Sequence, residues 1–266
     1  MAKALNAKRA KWPSIMPSKE TGRFSPEYIE YTEDLALCYN LVSIGAGITG
    51  KPLVLHTGGE KDGILGAATD GTNIWLPKMH PRRRVATKHE LAHIYFKSNI
   101  PLRLLFVCEL IDEFEKEIKD KLAPHVKEKL TSDLCFLVNV LDDVRVNSLW
   151  GLLYPGDGED MDEWYFHTTG PDMLEKAVKK FPGGDIDHFF TYAILLVLGQ
   201  APVSTAWEDM KPAILQARDD VAFKAFPAAL AIMRQLVKDT CRRLVQKDEA
   251  KPAWGGPVNP LDKQDW

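Results

Sequence analysis

The chain has little cysteine, four residues in 266, and no two of them form a C-x-x-C pair. With Cys38, Cys108, Cys135 and Cys241 far apart, no disulfide or thiolate-metal framework organises the fold, and a reducing compartment is the default. Cys38, Cys108 and Cys135 fall in apolar helical stretches, where free cysteine behaves as a small buried hydrophobe. No run of 18 apolar residues occurs, so no membrane span is expected. The start, Met-Ala-Lys-Ala-Leu-Asn, lacks an apolar core, so no signal peptide is expected and the location reads as cytoplasmic. The net charge is only −3. That supplies no electrostatic case for a nucleic-acid partner. Lys3, Lys8, Arg9 and Lys11 form a small basic group in a segment with few core residues, read as a solvated arm. No internal repeat is present.

What is present concentrates in one stretch, Thr87-Lys88-His89-Glu90-Leu91-Ala92-His93-Ile94. It reads H-E-x-x-H. Two histidines four apart on a helix lie on one face, one turn apart, so both rings can reach one metal ion. Glu90 is placed to hold and deprotonate a metal-bound water. The plainer reading is a pair of ordinary helix histidines. The two readings separate on whether the chain also supplies a third ligand, a supporting strand and a cleft. With 45% hydrophobic residues it can build one large domain or two smaller lobes.

In chain order, residues 1–24 read as an extended basic arm. Ser25-Pro26-Glu27 is a helix start: a cap, a proline at the first helical position, and an acid in the first turn. The helix is predicted to run to about residue 43. Gly45, Gly47, Gly50 and Lys51 then match both G-x-G-x-x-G and G-x-x-x-x-G-K. Neither nucleotide-binding reading has its context. No strand precedes and no helix follows, and Pro52 stands where a phosphate loop needs Ser or Thr. The glycines are expected to end the helix and lead into a sheet. Residues 52–56, 64–69 and 72–76 read as an antiparallel β-meander, with Asp70-Gly71 as a tight hairpin. The third strand is expected at the sheet edge, where an extended substrate could pair. Arg82-Arg83-Arg84 reads as a solvated loop.

The motif helix is predicted over about 83–97, stopped by Ser98-Asn99-Ile100-Pro101. A helix over 102–122 should bury Leu105, Cys108, Ile111, Phe114 and Ile118 and break at Pro124. Another is predicted over 132–153, ending at Tyr154-Pro155-Gly156. After an acidic irregular stretch, helices are expected over 172–181, 185–199, 209–217 and 222–247, then an extended tail. The organisation reads as an arm (1–24), a metal-binding core (25–156), a helical C-terminal lobe (157–250) and a tail (251–266). The fold class is α+β, mostly helical, with a small sheet packed on the H-E-x-x-H helix.

A catalytic zinc site needs three protein ligands and a water. One candidate for the third is Glu113, although its neighbours form a charged face. The other lies in Asn139-Val140-Leu141-Asp142-Asp143-Val144-Arg145-Val146-Asn147, a polar strip inside an apolar helix. Buried charges cost several kcal/mol unless paired or coordinated. Asn139, Asp143 and Asn147 share one face, so Asp143 as ligand with Asn139 and Asn147 as supporting residues is coherent geometry. Asp142 is the alternative ligand, and Arg145 is expected to pair with one of the acids. His125, His167 and His188 read as structural or solvated. Tyr165, His167 and Tyr154 are candidates to stabilise an oxyanion. Asp160 to Glu163 lacks calcium-loop spacing.

H-E-x-x-H followed by an apolar helix with N-x-L-[ED]-D-x-R and then Y-P-G resembles the zincin-like metallopeptidase domain of cobaltochelatase CobT-like, von Willebrand A-associated proteins, which has relatives in phages. Asp142 and Asn147 stand where the family has glutamates. Asp143 is the unchanged acid, so the resemblance favours it as third ligand. No D-x-S-x-S site of a von Willebrand domain is present. The resemblance implies a Zn2+-dependent endopeptidase with His89, His93 and Asp143 on the metal and Glu90 as general base. It also implies a protein or peptide substrate in the cytoplasm of a bacterial or phage-infected cell. A ring-forming AAA+ ATPase or a separate von Willebrand A protein is the implied partner. The alternative is a catalytically weak interaction module serving such an ATPase or phage assembly.

Overall fold

The computed structural model describes residues 26–57, 67–76, 82–98, 100–118, 122, 124–157, 186–199, 207–223, 234 and 238. The expected arm, the acidic stretch beyond 157, the helix expected over 172–181, most of that over 222–247, the tail, Tyr165, His167 and Cys241 lie outside these residues. The chain divides into two compact units, Met1–Tyr95 and Phe96–Trp266.

In the first unit, α1 (Pro26–Thr49) begins at the expected proline but runs through the glycines rather than stopping before them. Gly45 is not a turn residue. A Cβ there would lie 2.5 Å from Leu91 Cδ2, so the missing side chain lets α2 (Arg83–Tyr95) approach closely. The helix ends only at Gly50, whose φ of +66 suits glycine. Arg83 and Arg84 are not a solvated loop either. They open α2 and pair with Asp34 of α1 at 3.0 and 2.7 Å, and the Arg83 guanidinium lies 4.4 Å from the Tyr31 ring centroid.

The sheet holds β1 (Val54–Thr57), β2 (Ala68–Thr69) and β3 (Asn73–Leu76) in the order β1-β3-β2. The β2–β3 hairpin is antiparallel as expected, but β1 pairs parallel with β3, so the sheet is mixed rather than an antiparallel meander. Parallel neighbours need a crossover, and the stretch between Thr57 and Asn73, which includes β2, provides its length. The third strand is therefore the centre of the sheet, not its edge. Gly71 turns the hairpin at φ +95. Asp70 Oδ1 accepts the N–H groups of Thr72 and Asn73 at 2.9 and 2.7 Å. Desolvation works to raise the Asp70 carboxyl, but these donors outweigh it and hold its pKa at about 2. Ile74 and Leu76 alternate inward, fully buried, and β2 and β3 pack against α2.

In the second unit, α4 (Pro124–Leu153) packs against α3 (Ile100–Ile118), α5 (Ile186–Val197) and α6 (Lys211–Phe223). A 3-10 turn, Glu208–Met210, leads into α6. Pro124 does not merely separate two helices. It takes the first position of α4, where no backbone donor is needed, so the helix starts earlier than predicted. The buried stripe of α3 is Phe106, Val107, Leu110, Ile111 and Phe114. Leu105 and Cys108, expected inside, are exposed. Cys38 is buried as expected, and Cys135 is half-buried. From Phe189 to Val197, α5 is buried almost all round, with only Thr191 half-buried, and Leu198, Trp207, Ile214 and Val221 close the core.

The architecture is thus mostly helical with one small sheet. Among the described residues, no helix is long and apolar enough to cross a membrane.

Candidate functional site

Helix α2 can bury opposite faces because α1 covers one and the sheet another. In this setting His89, Glu90 and His93 are 5%, 4% and 6% exposed. Burial of three polar, ionisable groups on one turn is costly without a compensating interaction. The two rings meet edge to face at 88°, and their Nε2 atoms lie 3.2 Å apart. Two nitrogens bound to zinc at about 2.0–2.1 Å with a near-tetrahedral angle lie about 3.3 Å apart. The pair is therefore close enough for both nitrogens to face one ion. The same spacing lets one ring donate an Nε2–H to the other's lone pair.

On α4, the polar strip is folded inward as a charged network. Asp142, Asp143, Arg145 and Asn147 are all buried, while Asn139 stays exposed. Asp142 is the anchor. One carboxylate oxygen takes Arg145 Nε and Nη2 at 2.7 and 2.6 Å, and the other takes the Ser98 hydroxyl at 2.5 Å and faces Arg103 Nη2 at 3.6 Å. Arg145 thus pairs with an acid as expected, and that acid is Asp142. Asp143 instead accepts from Asn139 Nδ2 through Oδ2 at 3.1 Å. Asn139 Oδ1 in turn accepts from Arg103 Nη1 at 2.5 Å.

Glu113, the remaining ligand candidate, is held by Arg234 at 3.1 Å and by Lys238. The hydrogen bond from Lys238, with Arg234 nearby, keeps Glu113 below the usual carboxylate range. It belongs to an ion-pair cluster that also joins Glu109 to Arg234 at 3.1 Å.

His89 and His93 on α2, and Asp143 on α4, are each buried groups of the kind that holds a metal ion. Two imidazoles and a carboxylate are a donor set suited to zinc among the common divalent ions. Tyr154 lies just past the end of α4, its ring tilted against Trp150, whose indole N–H reaches Asp157 at 3.1 Å. Ser98 and Arg103 were not singled out by the sequence reading. Ser98 read only as part of a helix stop. Arg103 was a lone cation before Leu104-Leu105-Phe106, and that isolation in an apolar run was the available signal. Compared with known proteins, the chain matches no family model, no curated protein and no solved structure.

Proposed function

We propose that this protein is a zinc-dependent peptidase in which His89, His93 and Asp143 hold the metal and Glu90 is the general base. The observation that carries this reading is the pair of buried imidazole nitrogens 3.2 Å apart, with a buried glutamate beside the first of them. Asp143 is taken as the third ligand because it is the acid that the family resemblance leaves unchanged, while Asp142 and Glu113 are held in ion pairs with arginine and lysine. A zinc ion bound there would supply Lewis-acid chemistry, acidifying water and polarising a carbonyl.

The chain's own part is proton handling. Glu90 accepts a proton from the water whose oxygen bonds to the peptide carbonyl carbon. As the C–N bond breaks, the Glu90 carboxyl returns that proton to the leaving amine nitrogen. An extended substrate would add to an outer strand, β1 or β2, because β3 is paired on both sides.

Metal analysis of the purified protein is expected to give about one zinc per chain. Casein or a peptide library should then be cleaved by the wild type and not by Glu90→Gln, which keeps the metal. Metal retained with no Glu90-dependent cleavage would replace the peptidase with the interaction module. No metal at all would remove both.

A further inference from the structure

Two hydrogen bonds link Arg103, which nothing above assigns to the site, to the proposed third ligand. Arg103 on α3 is buried, and its Nη1 donates to Asn139 Oδ1 on α4. The Asn139 amide then donates from Nδ2 to Asp143 Oδ2 at 3.1 Å. A guanidinium has donors only, so the Asn139 atom facing it must be the carbonyl oxygen. That forces the amide nitrogen toward Asp143. Asn139 is exposed. Without a fixed partner at its carbonyl, an exposed amide would exchange between water and Asp143. The second arm of the same guanidinium, Nη2, lies 3.6 Å from Asp142 Oδ2, which keeps the plane of Arg103 in register with α4.

We infer that Arg103 is a positioning residue for the metal site: it locks the orientation of the Asn139 amide, and that amide fixes the carboxylate plane of Asp143. The inference rests on the reading of Asp143 as a ligand. It adds a residue that touches neither metal nor substrate and acts through two hydrogen bonds. Such supporting contacts orient ligand carboxylates and typically alter metal affinity by about 10–100-fold.

The test uses the full chain and Co2+ as the probe, with affinity from competition against a chelator and the d–d spectrum as the geometric readout. Arg103→Met is expected to weaken Co2+ binding by about 10–100-fold and to change the spectrum. Arg103→Lys keeps one donor for Asn139 Oδ1 and should recover most of the affinity. Asn139→Ala should weaken binding as Arg103→Met does. The double variant should lose no more than Asn139→Ala alone, because the two act in series. A folded Arg103→Met with wild-type affinity and spectrum overturns the inference, while metal loss in His89→Ala shows that the site reading still stands. Should Arg103→Met not fold, Asn139→Ala decides alone: unchanged affinity overturns the inference and a loss supports it. A wild type that binds no Co2+ removes the site reading and the inference with it.

Discussion

Arg145 reaches back along α4, donates from Nε to one oxygen of Asp142 at 2.7 Å and sets Nη2 in ion-pair contact with the same oxygen at 2.6 Å, with both side chains almost fully buried. The same arginine also donates to the Ser98 hydroxyl at 3.2 Å and to the Phe96 carbonyl at 3.4 Å. Removing one side of a buried ion pair leaves the other charge in a poor solvent. Asp142→Ala should therefore cost about 3–5 kcal/mol of unfolding free energy, whereas Asp142→Leu with Arg145→Met together should cost less. Urea unfolding of the three proteins measures both. A double variant as damaged as the single one would contradict the argument.

Gly45 and Gly47 lie two residues apart on α1, yet their surroundings are opposite. A Cβ at Gly45 meets Leu91, while one at Gly47 meets nothing within 4 Å. Gly47→Ala is expected to stabilise the protein by about 0.5–1 kcal/mol, the usual gain from removing a helix-interior glycine. Gly45→Ala forces Leu91 to move, and overpacking of about 1–3 kcal/mol should outweigh the same gain. Thermal unfolding should thus move in opposite directions for the two variants.

Asp70 sets a pH dependence for the hairpin. Its carboxyl is lowered from the reference value of 3.8 to about 2 in the folded protein. A lowered folded pKa means the carboxylate contributes stability above the unfolded value and loses it as the pH falls toward the folded one. The melting-temperature gap between wild type and Asp70→Ala should be constant at neutral pH. It should then shrink as the pH drops from about 4 to about 2. A gap that widens with acid would mean that the hydrogen bonds from Thr72 and Asn73 are not what matters.

Metal removal gives the most direct check on the pair at His89 and His93. Free zinc at 100 times its dissociation constant should stabilise the folded protein by about 2.7 kcal/mol, and a chelator should reverse it. In His93→Ala the zinc-dependent rise in melting temperature should vanish. Equal stabilisation of that variant would place the metal elsewhere.

Much of the local structure could be read from the residues. Pro26 marked the start of α1, Asp70-Gly71 marked the hairpin, and the polar strip on α4 announced itself as charge in an apolar helix. The errors share one cause. Periodicity places Leu105 and Cys108 in the core of α3 with Ile111 and Phe114, but the buried stripe keeps only Ile111 and Phe114 of these and adds Phe106, Val107 and Leu110. A helix face is chosen by what packs against it, and here α4 makes that choice. The glycines before Lys51 looked like a turn because glycine destabilises helices. In the fold, one of them is required by the closeness of Leu91, a residue far along the chain.

By itself the sequence determined that two histidines and a glutamate share one stretch of helix, because a four-residue spacing and the helical pitch are local properties. It could not decide which acid on α4 is committed to structure. Tertiary packing decided that: Ser98 and Arg103 come from distant positions to engage Asp142, with Arg145 on the same helix, while Arg103 also holds the Asn139 carbonyl and the Asn139 amide donates to Asp143. The strand order was settled in the same way. A hairpin follows from two turn residues, whereas the parallel pairing of β1 with β3 depends on a crossover whose direction no short stretch encodes.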